Sequence, residues 1–151
     1  MAMGVMGIPK FERFFRAAAG IDVDKDDLKR FDGFVFQQVY DLLIRAQANA
    51  RANLRDVIEP WDVPITAGLQ ERIHEFEKLD HEIELKPFLA DLAARPQLDV
   101  TISDETIDRL PSVAGGLSVA LARSFKIIDP KVVNPSSEHW ERTFRIFKLL
   151  M

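Results

Sequence analysis

Val57-Ile58-Glu59-Pro60 returns further along the chain as Val132-Val133-Asn134-Pro135, and this recurrence decides how the whole sequence is read. Ile21-Asp22-Val23 likewise returns as Leu98-Asp99-Val100, and Leu28-Lys29-Arg30-Phe31 as Ile107-Asp108-Arg109-Leu110. Three pairs of landmarks therefore keep one order at a separation of about 75 to 79 residues, which defines two domain-sized units. Each unit consists of a short helix, a long helix and another short helix. Such a unit cannot bury its apolar faces alone, so one half is expected to clasp the other.

The periodicities around the landmarks supply the helices. Pro9 occupies a first-turn position, where its missing N–H costs nothing, and Phe11, Phe14 and Phe15 share the apolar face of a helix that ends at Gly20. Asp24 is a candidate cap for the next helix. From there Leu28, Phe31, Val35, Val39, Leu42, Leu43, Ala46 and Ala50 follow the 3.6-residue period to about Asn53, a helix roughly 40 Å long. Residues 55–59 read as extended before Pro60, and Asp62 reads as the N-cap of a third helix carrying Val63, Leu69, Ile73 and Phe76. In the second half Pro87 and Phe88 open a short helix and residues 98–102 are extended. Ser103 caps a helix bearing Ile107, Leu110, Ala114, Leu117, Leu121 and Phe125. Pro111 is expected to kink or split that helix, because it removes a backbone hydrogen bond and crowds the preceding turn. Trp140, Phe144, Ile146, Phe147 and Leu150 mark a last helix.

Composition narrows the class of protein. The chain has 151 residues, 47% of them apolar and 29% charged, the balance of a globular domain able to bury a sizeable core. It has no cysteine, which excludes a disulfide framework, thiolate zinc sites and thiol catalysis and fits a reducing compartment. Met1-Ala2-Met3-Gly4-Val5 has no basic stretch followed by a long apolar one, and the longest apolar run, Val113 to Ala122, is half of a bilayer span. A cytoplasmic protein without membrane contact is expected. The net charge is -4, unlike the strongly basic balance of a nonspecific DNA coater. Acidity concentrates in residues 1–84, which hold 11 basic and 16 acidic side chains, against 9 and 8 in the remainder. Arg142, Arg145 and Lys148 are the densest basic cluster.

The stretch Arg55-Asp56-Val57-Ile58-Glu59-Pro60-Trp61-Asp62-Val63 resembles the second loop of archaeal-type histones, and the order of helix lengths resembles the histone fold. In those histones an arginine and an aspartate seven residues later pair across the loop; Arg55 and Asp62 stand at that spacing. The chain as a whole is similar to the bacterial family called domain of unknown function 1931, in which two histone folds in one polypeptide form a pseudodimer. The resemblance implies an all-α protein of two tandem histone folds, residues 1–82 and 83–151, packed as an intramolecular pseudodimer and together forming one globular domain. The second half departs from the pattern, with Lys131 and Glu138 only approximating the arginine–aspartate pair. Histones of this type that bind DNA carry a lysine and a threonine after the loop arginine, where this chain has Asp56 and Val57, and an arginine in the first loop, where it has Asp22. A carboxylate facing phosphate is repulsive. The candidate DNA contacts that remain are Arg13, Arg16, Lys25, Arg51 and Lys131. They favour DNA if they share a face clear of Asp22, Asp24 and Asp56, and count against it if acids interleave them.

Catalytic motifs are not found. His74, Glu77, His81 and Glu84 recur three and four apart, so His74, Glu77 and His81 form the one candidate metal stripe, with a solvated helix end as the competing reading. His139 reads as an isolated packing histidine, Ser136-Ser137 as a loop and cap, and Gly115-Gly116 as a close helix crossing rather than a phosphate loop. Trp61 and Trp140 hold comparable places near the third helix of each half; both suit the covering of a helix end, and an exposed one would suit recognition. The sequence thus leads to a non-enzymatic module without cofactors, pairing internally with itself and open to other protein partners. The alternative is a nucleoid-associated DNA-binding protein.

Overall fold

A computed structural model of the chain describes residues 7–93 and 97–150. The Met1–Val5 stretch lies outside the described residues. Among the described residues six helices carry the fold: α1 (Gly7–Ala19), α2 (Leu28–Ala52), α3 (Ala67–Ile83), α4 (Lys86–Ala93), α5 (Asp104–Ile128) and α6 (Ser137–Leu150). Two strands of two residues each, β1 (Val57–Ile58) and β2 (Thr101–Ile102), pair in parallel. The protein is all-α, with that small pairing as its β-structure among the described residues.

The local chemistry accounts for the helix ends. Gly20 takes a φ of 64° and stops α1, a conformation that side chains with a Cβ disfavour. Asp24 caps the turn ahead of α2, its Oδ1 accepting from the N–H groups of Asp26 at 2.9 Å and Asp27 at 3.2 Å. Thr66 caps α3 by accepting from the Leu69 N–H, and Ser103 caps α5 by accepting from the Thr106 N–H. Asp62 is therefore not the cap of the third helix. It ends a short 3-10 turn, Pro60–Asp62, where its carboxylate accepts from the Glu59 N–H at 2.8 Å, and four further residues precede α3.

Pro111 does not break α5, which runs unbroken through 25 residues. Proline forfeits one intrahelical bond, but α5 touches each of the other five helices and buries Leu110, Pro111, Val113 and Ala114 on either side of the ring. Packing from all sides thus outweighs the single lost bond.

Helix α3 packs along α5 in the most extensive helix pairing among the described residues, and the glycines permit it. A Cβ on Gly115 would lie 2.3 Å from carbons of the Phe76 ring, and one on Gly116 would lie 2.6 Å from Ile73 Cγ1 and 2.9 Å from the Ile73 backbone nitrogen. Helix α1 also lies on α5, and α4 lies on α2. The halves are therefore interleaved around one core rather than set side by side. Trp140, fully buried, centres that core against Phe15, Phe125 and Phe144 at centroid distances of 6.1, 4.9 and 5.8 Å.

The loops of the two halves also meet reciprocally. Thr101 N–H donates to Asp56 O and Ser103 N–H to Ile58 O, both at 3.1 Å, while the buried Thr106 hydroxyl donates to Ile58 O at 2.9 Å. At the opposite end Asp22 N–H donates to Val133 O at 2.7 Å. Each loop of the first half is thereby hydrogen-bonded to a loop of the second.

Candidate functional site

Arg55 reaches across its loop and grips both carboxylate oxygens of Asp62, Nη1 to Oδ2 at 2.6 Å and Nη2 to Oδ1 at 2.7 Å. The same Nη1 donates to Val57 O, and Asn49 Nδ2 donates to Asp62 O at 2.8 Å. A fork-to-fork pair fixes distance and orientation together, so this arginine ties the end of α2, β1 and the 3-10 turn into one piece. Asp62 is only 2% exposed, and the hydrogen bonds from Arg55 hold its carboxyl below the usual aspartate range. Arg55 is thus a structural residue whose charge is already satisfied. Trp61 stands outside this knot, 71% exposed, with the Arg55 guanidinium 5.9 Å from its ring centroid. It is no counterpart of Trp140, which the core encloses: Trp61 lies in the 3-10 turn before α3, whereas Trp140 lies inside α6.

Leu54 in the same loop is 96% exposed and holds a φ of 58°. A side chain with a Cβ costs about 1–2 kcal/mol in that region, and this leucine has no burial to offset the cost. Leu54→Gly should therefore raise stability by about 0.5–1 kcal/mol, after allowance for the greater freedom of glycine in the unfolded chain. Urea unfolding midpoints measure it, and a lower midpoint for the variant would mean that Leu54 makes a contact that offsets its strain.

The candidate DNA contacts do not gather on one face. Lys25 precedes α2 and Arg51 lies in its last turn, so the 25-residue helix holds them about 36 Å apart. Arg16 Nε is paired with Asp22 Oδ1 at 3.3 Å. Lys131 sits in the loop that bonds Asp22, its N–H engaged by Asp129 Oδ1, and Lys25 is flanked by the exposed Asp24 and Asp26. Acids are therefore interleaved with Arg16, Lys25 and Lys131. Arg13 and Arg16 do share a shallow groove of about 540 Å³ between α1 and α3 with Lys78 and Glu82. Lys78 is a cation the sequence did not bring forward, because Arg13 and Arg16, which it meets in the groove, lie more than 60 positions away.

The candidate metal stripe does not assemble either. Glu77 is drawn to Lys86 Nζ at 3.3 Å and to the Ser112 hydroxyl, His74 and His81 remain exposed, and no three metal-ligating side chains converge among the described residues. His139, in contrast, is not isolated. Its Nε2 lies 3.0 Å from Asp129 Oδ2, and its Nδ1 lies 2.8 Å from Ser136 Oγ. The order serine, histidine, aspartate has the look of a catalytic relay, but the Ser136 backbone N–H donates to the same Nδ1 at 3.0 Å, and the His139 N–H points back at Ser136 Oγ. Nδ1 is therefore an acceptor, Nε2 carries the proton toward Asp129, and the arrangement caps the N-terminus of α6. That hydrogen bond is the main reason the Asp129 carboxyl is held below its usual range.

Asp27 behaves oppositely. It is 5% exposed, and burial pushes its carboxyl up against the smaller, opposing pull of the Asp24 N–H and Arg30. Arg30 in turn donates to Ser137 Oγ at 2.8 Å, linking the start of α2 to the start of α6.

These features define an all-α protein whose two halves are interlocked through their loops and whose ion pairs serve its architecture. A family model described as "Domain of unknown function (DUF1931)" matches residues 11–148, and the chain belongs to that family. A crystal structure of a protein from Thermus thermophilus is 49% identical, with a TM-score of 0.85 over 95% of this chain and 97% of that one. A crystal structure of a protein from Aquifex aeolicus is 24% identical with the same TM-score over the full length of both, a likeness of fold. Two Aquifex aeolicus (strain VF5) proteins described as uncharacterized are 26% identical over 111 residues and 28% over 137. The first match covers 74% of this chain and 65% of the relative; the second covers 82% and 80%. Among the described residues no helix is long and apolar enough to cross a membrane.

Proposed function

We propose that the chain is a single-chain pseudodimer of two histone-fold units, residues 1–82 and 83–151, acting without catalysis as a pairing and protein-interaction module. The observation that carries this reading is the reciprocal bonding of loops, Asp22 to Val133 at one end and β1 to β2 at the other. Contacts that two separate histone-fold chains would make with each other are here made within one polypeptide, which leaves the outer surface free for other partners. The Arg55–Asp62 clamp and the order of helix lengths support it further. In this reading the protein works in the cytoplasm.

A second reading has one observation in its favour, the α1–α3 groove in which Arg13 and Arg16 meet Lys78. Under it the protein is nucleoid-associated and binds duplex DNA along that groove. Fluorescence anisotropy with a labelled duplex, at low and near-physiological salt, separates the two. The interaction-module reading expects no binding at near-physiological salt, since the acids interleaved with Arg16, Lys25 and Lys131 repel phosphate. Micromolar binding that falls steeply with salt and with the combined Arg13→Ala, Arg16→Ala and Lys78→Ala changes would replace it with the DNA reading.

A further inference from the structure

Where α3, α5 and α6 meet, a half-open cleft of about 290 Å³ is walled by Leu69, Leu117, Ile127 and Phe147 and edged by Arg72 and Arg123. Ile127 is 81% exposed, and Leu150, one helical turn beyond Phe147 on α6, is 80% exposed. Large aliphatic side chains left this open beside an apolar cleft are the ordinary mark of a binding surface. The charges are unbalanced in one direction. Arg72 Nη2 and Arg123 Nη1 both donate to Glu75 Oε1, at 2.9 and 2.7 Å, so two guanidinium groups share one carboxylate. The Arg123 side chain is 48% exposed, so an added carboxylate reaches its remaining N–H groups and neutralises the surplus charge.

We propose that this cleft docks an acidic amphipathic segment of a partner protein, its aliphatic or aromatic side chains covering Ile127 and Phe147 while an aspartate or glutamate pairs with Arg72 and Arg123. Apolar anchors beside arginine are the composition of interface centres. The most acidic stretch of this chain, residues 22–27, has Val23 and Asp27 buried, whereas Asp104, Glu105 and Asp108 are exposed beside Ile107, so a second copy is the competing occupant that the test separates. The proposal rests on the interaction-module reading and specifies its surface.

The test is selection of a phage-displayed library of random 16-residue peptides on the full-length protein, followed by anisotropy with the enriched peptides. Ile127→Asp, Arg123→Glu and Trp61→Ala variants are run alongside, each checked for unchanged thermal unfolding. The expected result is a consensus with Asp or Glu next to Leu, Ile or Phe. Its binding should be weakened at least tenfold by Ile127→Asp and by Arg123→Glu and left unchanged by Trp61→Ala. Peptides that bind but ignore both cleft variants would overturn the cleft and leave the interaction module standing. An absence of enriched peptides would overturn both. Sedimentation showing a dimer abolished by Ile127→Asp would assign the cleft to a second copy and overturn the acidic-segment proposal.

Discussion

Gly116→Val should lower the stability of this protein by about 3 kcal/mol, the upper part of the range for overpacking a well-filled core. For a chain of this length that is a fall of about 6–12 °C in Tm. Gly116→Ala should also destabilise, by about 1–2 kcal/mol. The sign is the informative part, because alanine in a helix interior is otherwise worth about 1 kcal/mol more than glycine. At Gly116 the added carbon meets the Ile73 backbone nitrogen at 2.9 Å, and backbone cannot rotate aside. Helix α3 would have to lift from α5, and the layer between them includes the fully buried Phe76. Gly33, inside α2, is the control: nothing lies within 4 Å of its added carbon, so Gly33→Ala should stabilise by about 1 kcal/mol. Urea and thermal unfolding of the three variants measure this. A Gly116→Ala protein more stable than the parent would show that α3 and α5 do not meet at this distance.

The glycine pair illustrates what the sequence could and could not disclose. Its role as a close crossing was legible, because Gly115-Gly116 lacks every other feature of a phosphate loop; which helix crosses there was not, since Phe76 and Ile73 lie about 40 positions earlier. The helices were legible from their apolar period, and the Arg55–Asp62 bond from the resemblance of residues 55–63 to the histone loop. Errors arose where tertiary packing overrode a local rule. Asp62 has the chemistry of an N-cap, but Arg55 claims its carboxylate and Thr66 does the capping. Pro111 has the chemistry of a helix breaker, but five neighbouring helices hold α5 together. Glu77 has metal-ligand spacing from His74 and His81, but Lys86 and Ser112, brought by the following helices, claim it first. His139 reads as isolated in the sequence because its partner Asp129 lies ten residues back across a loop whose course no periodicity fixes. The cleft edged by Arg72 and Arg123 was invisible for the same reason at larger scale, as 48 residues separate Arg123 from Glu75.

Asp62→Asn should cost about 2–3 kcal/mol at neutral pH, the scale of hydrogen bonds made to charged groups, and the cost should shrink in acid. The amide keeps one acceptor oxygen but turns an NH2 group toward the Arg55 fork, so donor faces donor where a bidentate pair stood. The pH dependence follows from linkage. Because Arg55 holds the folded Asp62 carboxyl below its ordinary value, the native state favours the ionised form. The resulting stability is complete above the unfolded aspartate pKa of about 3.9 and is lost as pH falls through the lower folded value. The parent loses it while the asparagine variant has none to lose, so their unfolding midpoints should stay apart down to about pH 4 and begin to converge below it. Asp129 contributes with the same sign in both proteins and cancels from the comparison. Asp27 supplies the opposite case. Burial raises its folded pKa, so its ionised form opposes folding at neutral pH and acid relieves that cost. The parent should therefore gain on an Asp27→Asn variant as pH falls, where it loses ground to Asp62→Asn. Urea midpoints at pH 7, 5, 4 and 3 for the three proteins are sufficient. A parent-to-Asp62→Asn gap independent of pH would mean that the loop is held by the shape of the 3-10 turn and its backbone bonds rather than by the Asp62 charge. The distinction reaches the proposed function, because this loop carries β1, the strand through which one half of the chain holds the other.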